Sequence, residues 1–360
     1  MTPTGKLLEM LSYRRPMGSA TERAFITRFI LPLSPIQDDY QNYHVWIANP
    51  DGTSSRVLWS CHTDTVHKAE GRQIVRYDPL TGVIDLSRRA KRTGSNCLGA
   101  DDTAGVFILT ELIAAKVPGH YIFHYGEERG GHGSSDIANL QPELLDGAEI
   151  AIALDRRGHG DIVTFQYGMR CASEAFATSL GAALLAVDSR LPYTSTHGVY
   201  TDTAEYIGIV AECTNLSVGY FHEHTPLECL DSAHVFQLLN ALKRLDTSSL
   251  VVKRDPTEDD WRQMGFTVFG SQGSSVIVDA DIIEDTDLCV CGHAFAQHDT
   301  ADNECTLCTD CEYFTEADRH NDTPTYLDPD WEAVQRALLR AQDSTRSQAR
   351  IVIPWTKGKP

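Results

Sequence analysis

The chain has 360 residues, 42% of them hydrophobic, which allows one large α/β domain with a real core plus an appendage. Its formal charge of −19 argues against a phosphate-binding surface, because nucleic acid or anionic lipid would be repelled over most of the protein, whereas bound divalent cations would offset part of the excess. The start, "MTPTGKLLEML", lacks a basic segment followed by an apolar run of signal length, and no later stretch reaches membrane-spanning length, so no membrane association and a cytoplasmic location are expected.

Residues 5 to 31 carry helical spacing, with Leu7, Leu8 and Leu11, then Ala24, Phe25, Phe29 and Ile30 after the capping-like "SATE". "YHVWIANPDGTSSRVLWSC" reads as two strands around an Asn-Pro-Asp-Gly turn. Residues 67 to 95, rich in Arg, Lys and Gly, predict loop and short strands. "ADDTAGVFILTELIAAK" predicts an aspartate-capped helix with Val106, Leu109, Leu112 and Ile113 on one apolar face. "HYIFHYGEE" and "AEIAIALDRRG" predict strands ending in acidic residues. A helix over "SEAFATSLGAALLAV", a strand over "TNLSVGYFHEH" and a helix over "SAHVFQLLNALKRL" follow. Strands alternating with helices imply an α/β fold: a mixed, mostly parallel sheet covered by helices on both faces.

After about residue 254 the composition changes, which divides the chain into a domain over 1–254, a linker over 255–284, a Cys/His module over 285–315 and a tail over 316–360 with one helix, "DPDWEAVQRALLRAQ". Five of the ten cysteines crowd into the 23 residues from 289 to 311. In a chain without a signal this favours metal over disulfides. The candidate ligands of a structural zinc are Cys291, His298, Cys305 and Cys308, with Cys289, His293 and Cys311 as alternatives. So short a segment buries no core, and tetrahedral zinc would supply its folding energy; it resembles small zinc-ribbon modules. Its acidic surroundings disfavour nucleic acid, and a protein partner is the docking role left to it. The dispersed cysteines, Cys61 and Cys97 among them, read as buried free thiols.

Chemistry collects at the predicted strand ends. "VLWSCHTDTV" stops an apolar run at His62 with Asp64 two residues on; Glu127 and Glu128, Asp155, and His222 or His224 end later strands. Asp101 and Asp102 open a helix. Carboxyl ends of parallel strands converge on one crevice, where acidic groups without a cation would repel one another severely and divalent metal would remove that cost. Each residue has a plainer reading alone: Asp101 or Asp102 as a helix cap, Glu127 and Glu128 as a solvated pair, His62 as a core histidine, Asp155 as a surface ion pair. Their recurrence at the same end of successive strands favours a common site.

The ordered motifs "HTDTV", "GADDTAG", "GEERGGHGS", "LDRRG" and "HEHTPLE" resemble those of the dinuclear zinc exopeptidase superfamily, which includes zinc aminopeptidases, tripeptide aminopeptidases, glutamate carboxypeptidases and amino-acid deacylases. The resemblance covers residues 5 to about 253 and implies that superfamily's phosphorylase/hydrolase-like fold. It implies two catalytic zincs: His62, Asp101 and Asp155 hold one, Glu128 and His224 the other, and Asp101 bridges both. Asp102 is then a helix cap or a support for the ligands, and His222 is the rival of His224. Glu127 would take a proton from a water shared by the metals and pass it to the leaving amine, while Asp64 would orient the imidazole of His62. Two departures stand out. Only 68 residues separate Asp155 from His224, too few for the inserted domain of some branches, and Thr103 replaces a frequent lysine. For the substrate, Arg156 and Arg157 follow a ligand directly, and Tyr200 and Asp202 in "GVYTDTAEY" are candidate pocket residues.

These readings predict a zinc metallopeptidase acting on small peptides, most plainly an aminopeptidase. A deacylase or amidohydrolase acting on acylated amino acids would use the same two-zinc site. A non-catalytic scaffold presenting the zinc module is disfavoured because no ligand or base is missing.

Overall fold

The computed structural model describes residues 2–92 and 94–257, together with the backbone of two short strands farther on. The chain divides into two compact units, Met1–Phe266 and Thr267–Pro360. In the second, the strands Ile277–Val278 and Ile351–Val352 pair antiparallel. Apart from them, the expected linker past residue 257, the Cys/His module with Cys289, Cys291, His293, His298, Cys305, Cys308 and Cys311, and the tail helix lie outside the described residues.

Four parallel strands form the heart of a nine-stranded sheet, in the spatial order Glu212–Ser217, Ile150–Arg156, Val57–His62 and Gly119–His124. Antiparallel strands flank them: Tyr43–Ile47 beside Gly119–His124, and Asp161–Gln166 beside Glu212–Ser217. Side chains of a strand alternate between faces, and the core divides accordingly. Val57, Trp59, Cys61, Tyr121, Phe123, Ile150, Ile152 and Leu154 join one apolar cluster, while Leu58, Ile122, Ala151 and Cys213 join the other. The first cluster is covered by the helices Pro3–Leu11, Ala20–Phe29, Ala100–Ala114, Glu174–Val187 and Ser232–Leu242; Ile137 of the helix His132–Leu140 sits in the second. The mixed, mostly parallel sheet with helices on both faces is therefore the architecture observed.

Two local expectations change in detail. The helical spacing over 5–31 is two helices, broken around Tyr13–Arg14, which pairs with Gly71–Arg72. In "SATE", Ser19 caps its helix through the Glu22 amide, but the Glu22 carboxylate turns away to accept from the Gly18 amide and the Thr63 hydroxyl. A second, four-stranded antiparallel sheet contains the hairpin Tyr220–Phe221 and Cys229–Asp231, whose loop is the 222–228 segment. Residues between Asp155 and His224 belong to the sheet and its covering helix, so among the described residues no inserted domain separates them. The cysteines of this unit are free; Cys61, Cys97, Cys171 and Cys213 are buried and Cys229 is partly so. No helix among the described residues is long and apolar enough to cross a membrane.

The Ala100–Ala114 helix is buried around its whole circumference over most of its length, not along one apolar face, because it lies between the sheet and the helices Pro3–Leu11 and Ser232–Leu242. It lies close against the sheet at Gly105, where a Cβ would overlap the Asp102 carboxylate and the Leu154 carbonyl. Gly105→Ala is accordingly expected to cost about 1–3 kcal/mol as an overpacked contact. Scanning calorimetry should show a lowered Tm beside an unchanged Gly208→Ala control, a position with nothing within 4 Å of its Cβ. Equal Tm values for the two variants would contradict this packing.

Candidate active site

The parallel strands Val57–His62, Gly119–His124 and Ile150–Arg156 deliver His62, the Glu127–Glu128 turn and Asp155 to one end of the sheet. Nε2 of His62 lies 3.1 Å from Asp101 Oδ1, 3.6 Å from Asp155 Oδ1 and 4.0 Å from Glu127 Oε2. The other oxygen of Asp101, Oδ2, lies 3.2 Å from His224 Nε2, which is itself 3.2 Å from Glu128 Oε1. One carboxylate thus sits between two imidazoles, each flanked by a further carboxylate. His224 takes this place with a left-handed backbone, φ 64°, in the hairpin loop; His222, exposed on the same loop, receives the Thr225 hydroxyl at its carbonyl.

The two aspartates of "GADDTAG" do different work. Neither has helical angles, and the peptide between them is cis. Asp102 Oδ1 accepts from the Gly105 amide at 2.8 Å, the geometry of a helix cap, and Oδ2 accepts from the His62 amide at 3.3 Å. Asp101 is left to face the imidazoles. On the far side of the His62 ring, Nδ1 lies 3.4 Å from Asp64 Oδ1 and 3.2 Å from the Asp64 carbonyl, and Asp64 Oδ1 also receives the Glu127 amide at 3.2 Å. Asp64 therefore joins the imidazole to the turn that carries Glu127.

Burial in this crowd of carboxylates raises Glu127 well above the usual range, and pushes Glu128 up to about 7 and Asp155 up to about 6, with Asp101 and the other acids adding repulsion. Burial would lower both histidines, but the acids outweigh it: His62 is held well above its ordinary value, and His224 is raised to about 11 by Asp101 and Glu128. Asp101 goes the other way, because hydrogen bonds from His224 and His62 outweigh its burial.

The donor set suits a cation of the zinc type. Imidazole nitrogens and carboxylate oxygens of His62, Asp101 and Glu128, and again of His62, Asp102 and Asp155, lie within 4.8 Å of one another. The buried oxygen Glu128 Oε1 makes no well-formed hydrogen bond, although the His224 ring nitrogen lies 3.2 Å away. A buried oxygen this poorly matched is what a metal ion satisfies.

Several supports had no signal of their own in the sequence. Asp155 receives the Thr201 hydroxyl at 2.7 Å and the Tyr220 hydroxyl at 3.2 Å, and Asn215 pairs with its backbone on both sides. Glu228, fully enclosed, accepts four consecutive amides: Leu98 and Gly99 at 2.8 and 2.9 Å on Oε2, Ala100 and Asp101 at 2.6 and 3.1 Å on Oε1. It closes the "HTPLE" motif, and that membership was the one available hint.

The candidate pocket residues are occupied with neighbours. Arg156 pairs with Asp161 at 3.0 Å and Arg157 with Glu223 at 3.1 Å. The Tyr200 hydroxyl donates to Glu205 at 3.1 Å and covers Gly131 so closely that a Cβ there would overlap it. The Tyr167 ring packs tilted against the same ring with centroids 5.1 Å apart, a neighbour that the sequence did not suggest. Asp202 is buried, with Oδ1 accepting from Ser134 at 2.6 Å and Oδ2 lying 3.3 Å from His124 Nδ1; burial pushes it up to about 8.

No protein-family model matches the sequence, and a comparison with curated proteins gave no match. Solved structures do share the fold. A tripeptidase from Staphylococcus aureus aligns with a TM-score of 0.54 at 14% identity over 68% of this chain and 96% of its own. The aminopeptidase PepT from Bacillus cereus aligns with a TM-score of 0.50 at 14% identity over 67% of this chain and 97% of its own. The sheet and helices that bring His62, Asp101, Glu128, Asp155 and His224 together thus share their arrangement with the fold of these two peptidases.

Proposed function

We propose that the chain is a metallopeptidase that uses two zinc ions to hydrolyse peptide bonds at the amino end of small peptides. The observation that carries this reading is the Asp101 carboxylate set between His62 and His224, with Glu127 beside it. His62, Asp101 and Asp155 would hold one ion, and Glu128 and His224 the other, with Asp101 shared. When bound, zinc lowers the proton affinity of a water and polarises the scissile carbonyl. Glu127, 4.0 Å from His62 Nε2, would take a proton from the attacking water and return it to the leaving amine. Asp64 keeps the His62 ring and the Glu127 turn in register.

An amine end is favoured over a substrate carboxylate by charge. The two guanidiniums next to Asp155 are already engaged by Asp161 and Glu223, while Glu127, Glu128 and Asp155 crowd the site. With both guanidiniums engaged, neither is free to meet a substrate carboxylate, so the deacylase reading is the weaker one. The Cys/His sequence at 289–311 adds a structural zinc to the proposal, on the ligands Cys291, His298, Cys305 and Cys308.

Three measurements test this reading. Glu127→Gln should keep zinc and bind substrate, yet lose about 10²–10⁴-fold in turnover of an aminoacyl chromogenic substrate. Near-normal turnover by the zinc-loaded variant would remove Glu127 from the mechanism.

His62→Ala should lose activity and catalytic zinc while the fold survives, because the apolar run Val57 to Trp59 is untouched. Asp64→Asn should lose about 10- to 100-fold in metal affinity or activity, as expected for a group that orients a ligand. A reversed order, measured by metal analysis and rate, would put the ligand elsewhere.

The third concerns pH. A carboxyl whose folded-state pKa is raised stabilises the fold while protonated, and loses that contribution as pH rises through the folded value. Asp155 at about 6 and Glu128 at about 7 both act in this direction, as do the raised histidines. With a chelator present, Tm should therefore fall between about pH 5.5 and about pH 8, and zinc should raise Tm more at the higher pH. A zinc-induced gain that is larger at the acidic end would contradict the carboxylate-rich site.

A further inference from the structure

The N-terminal segment contributes a guanidinium that the reaction itself does not use. Arg15 is wholly buried. Its Nε donates to the Thr63 carbonyl at 2.8 Å, one residue past His62, and its Nη1 donates to the Thr103 hydroxyl at 2.9 Å, one residue past Asp102. The backbone repeats the first connection: the Arg15 amide donates to the Thr65 hydroxyl at 3.2 Å, and the Thr65 amide donates to the Arg15 carbonyl at 2.8 Å. The Phe25 ring lies 4.0 Å beneath the guanidinium and closes it off. Nη2 has no hydrogen-bond partner, and the charges that bear on the group are Glu22, Asp102 and Asp64.

A buried arginine is costly unless it is paired and hydrogen-bonded, and this one bonds two neutral oxygens on two different segments while three acids attract it without a direct ion pair. That is a poor design for mere core filling. It is a good one for fixing two segments at a set separation, because the planar fork holds both acceptors in one geometry. The segments it joins are the His62 strand end and the start of the helix that carries Asp101 and Asp102.

We propose that Arg15 is a positioning residue of the metal centre: it ties the 62–65 strand end to the 101–103 helix start and supplies buried positive charge to Asp64 and Asp102. Arg15 thereby sets where the His62 imidazole meets the Asp101 carboxylate. The inference rests on the two-metal reading for its spectroscopic arm, whereas its stability arm stands without it. Coulomb's law gives a control on interpretation, since deleting a positive charge would by itself tighten the binding of a cation. A disordered centre in an Arg15 variant therefore reports lost positioning and not lost charge.

The test uses the full-length chain loaded with cobalt in place of zinc, reading the visible absorption of the cobalt site, the Tm of the metal-free protein, and turnover. Arg15→Met should alter the cobalt spectrum, lower Tm and cut turnover about 10- to 100-fold. Adding Thr103→Lys to Arg15→Met should bring spectrum and Tm back toward wild type, because an ammonium carried on residue 103 starts from the other side of the same gap and can donate to the Thr63 carbonyl. A role limited to filling the core would gain nothing from that second change. A folded Arg15→Met protein with the wild-type cobalt spectrum overturns the proposal, as does a double variant no closer to wild type than the single one. Should Arg15→Met not fold, Arg15→Lys, which keeps the charge but loses the fork that reaches both Thr63 and Thr103, decides: an altered cobalt spectrum supports the tie and an unchanged one refutes it. If wild type itself gives no cobalt spectrum, the two-metal reading fails, and recovery of Tm in the double variant still decides for or against the tie.

Discussion

The structure is organised around a concentration of buried carboxylates that cannot be left to itself. Asp64, Asp101, Asp102, Asp155, Glu128 and Glu228 converge near the ends of parallel strands with few positive groups among them. Taking one carboxylate out of water costs several kcal/mol unless it is paired or hydrogen-bonded. Each is met in a different way. Asp102 spends its oxygens on the Gly105 and His62 amides, and Glu228 on four amides in a row. Asp155 takes two hydroxyls, and Asp101 takes two imidazoles. What remains poorly matched, at Glu128, is the part a metal ion would complete.

This constraint explains why the scaffold is so apolar immediately behind the site. Strands with large side chains on both faces are held rigidly between two clusters, so their carboxyl ends are fixed in space. The helix after Asp102 is enclosed on all sides and presses on the strand that carries Asp155 through a residue with no side chain. The hairpin loop 222–228 then acts at two points. It brings His224 to Asp101 from one side, while Glu228 grips the backbone that presents Asp101 from the other. Strand ends, helix start and hairpin therefore constrain one another, and no one of them sets the site alone.

Much of this was legible in the residues. The buried strands announce themselves as continuous apolar runs, "VLWSCH" and "IAIAL" above all, and the switch to polar residues marks the end where chemistry collects. Ordered motifs then named the five side chains that the fold brings together. The supports were not legible, for a physical reason. Thr201, Asn215, Tyr220 and Arg15 act through hydrogen bonds to partners dozens of residues away, and such bonds have no periodicity or local spacing. Glu22 illustrates the limit: "SATE" has the capping pattern, but a buried threonine hydroxyl at position 63 competes for the glutamate and wins it. Arg156 and Arg157 likewise sit beside Asp155 in sequence, yet they are taken up by Asp161 and Glu223.

The buried thiols give the strand ends a further property. Cys61 directly precedes His62, and Cys97 lies just before the backbone that Glu228 grips. Burial pushes the Cys61 thiol well up and holds Cys97 far above the range in which it would ionise near neutral pH. A thiolate is the softest ligand a side chain offers, and here both sulfurs stay protonated within the core. The clustered side-chain atoms at the strand ends are nitrogen and oxygen alone, and burial keeps oxidants in solution away from the two thiols beside them.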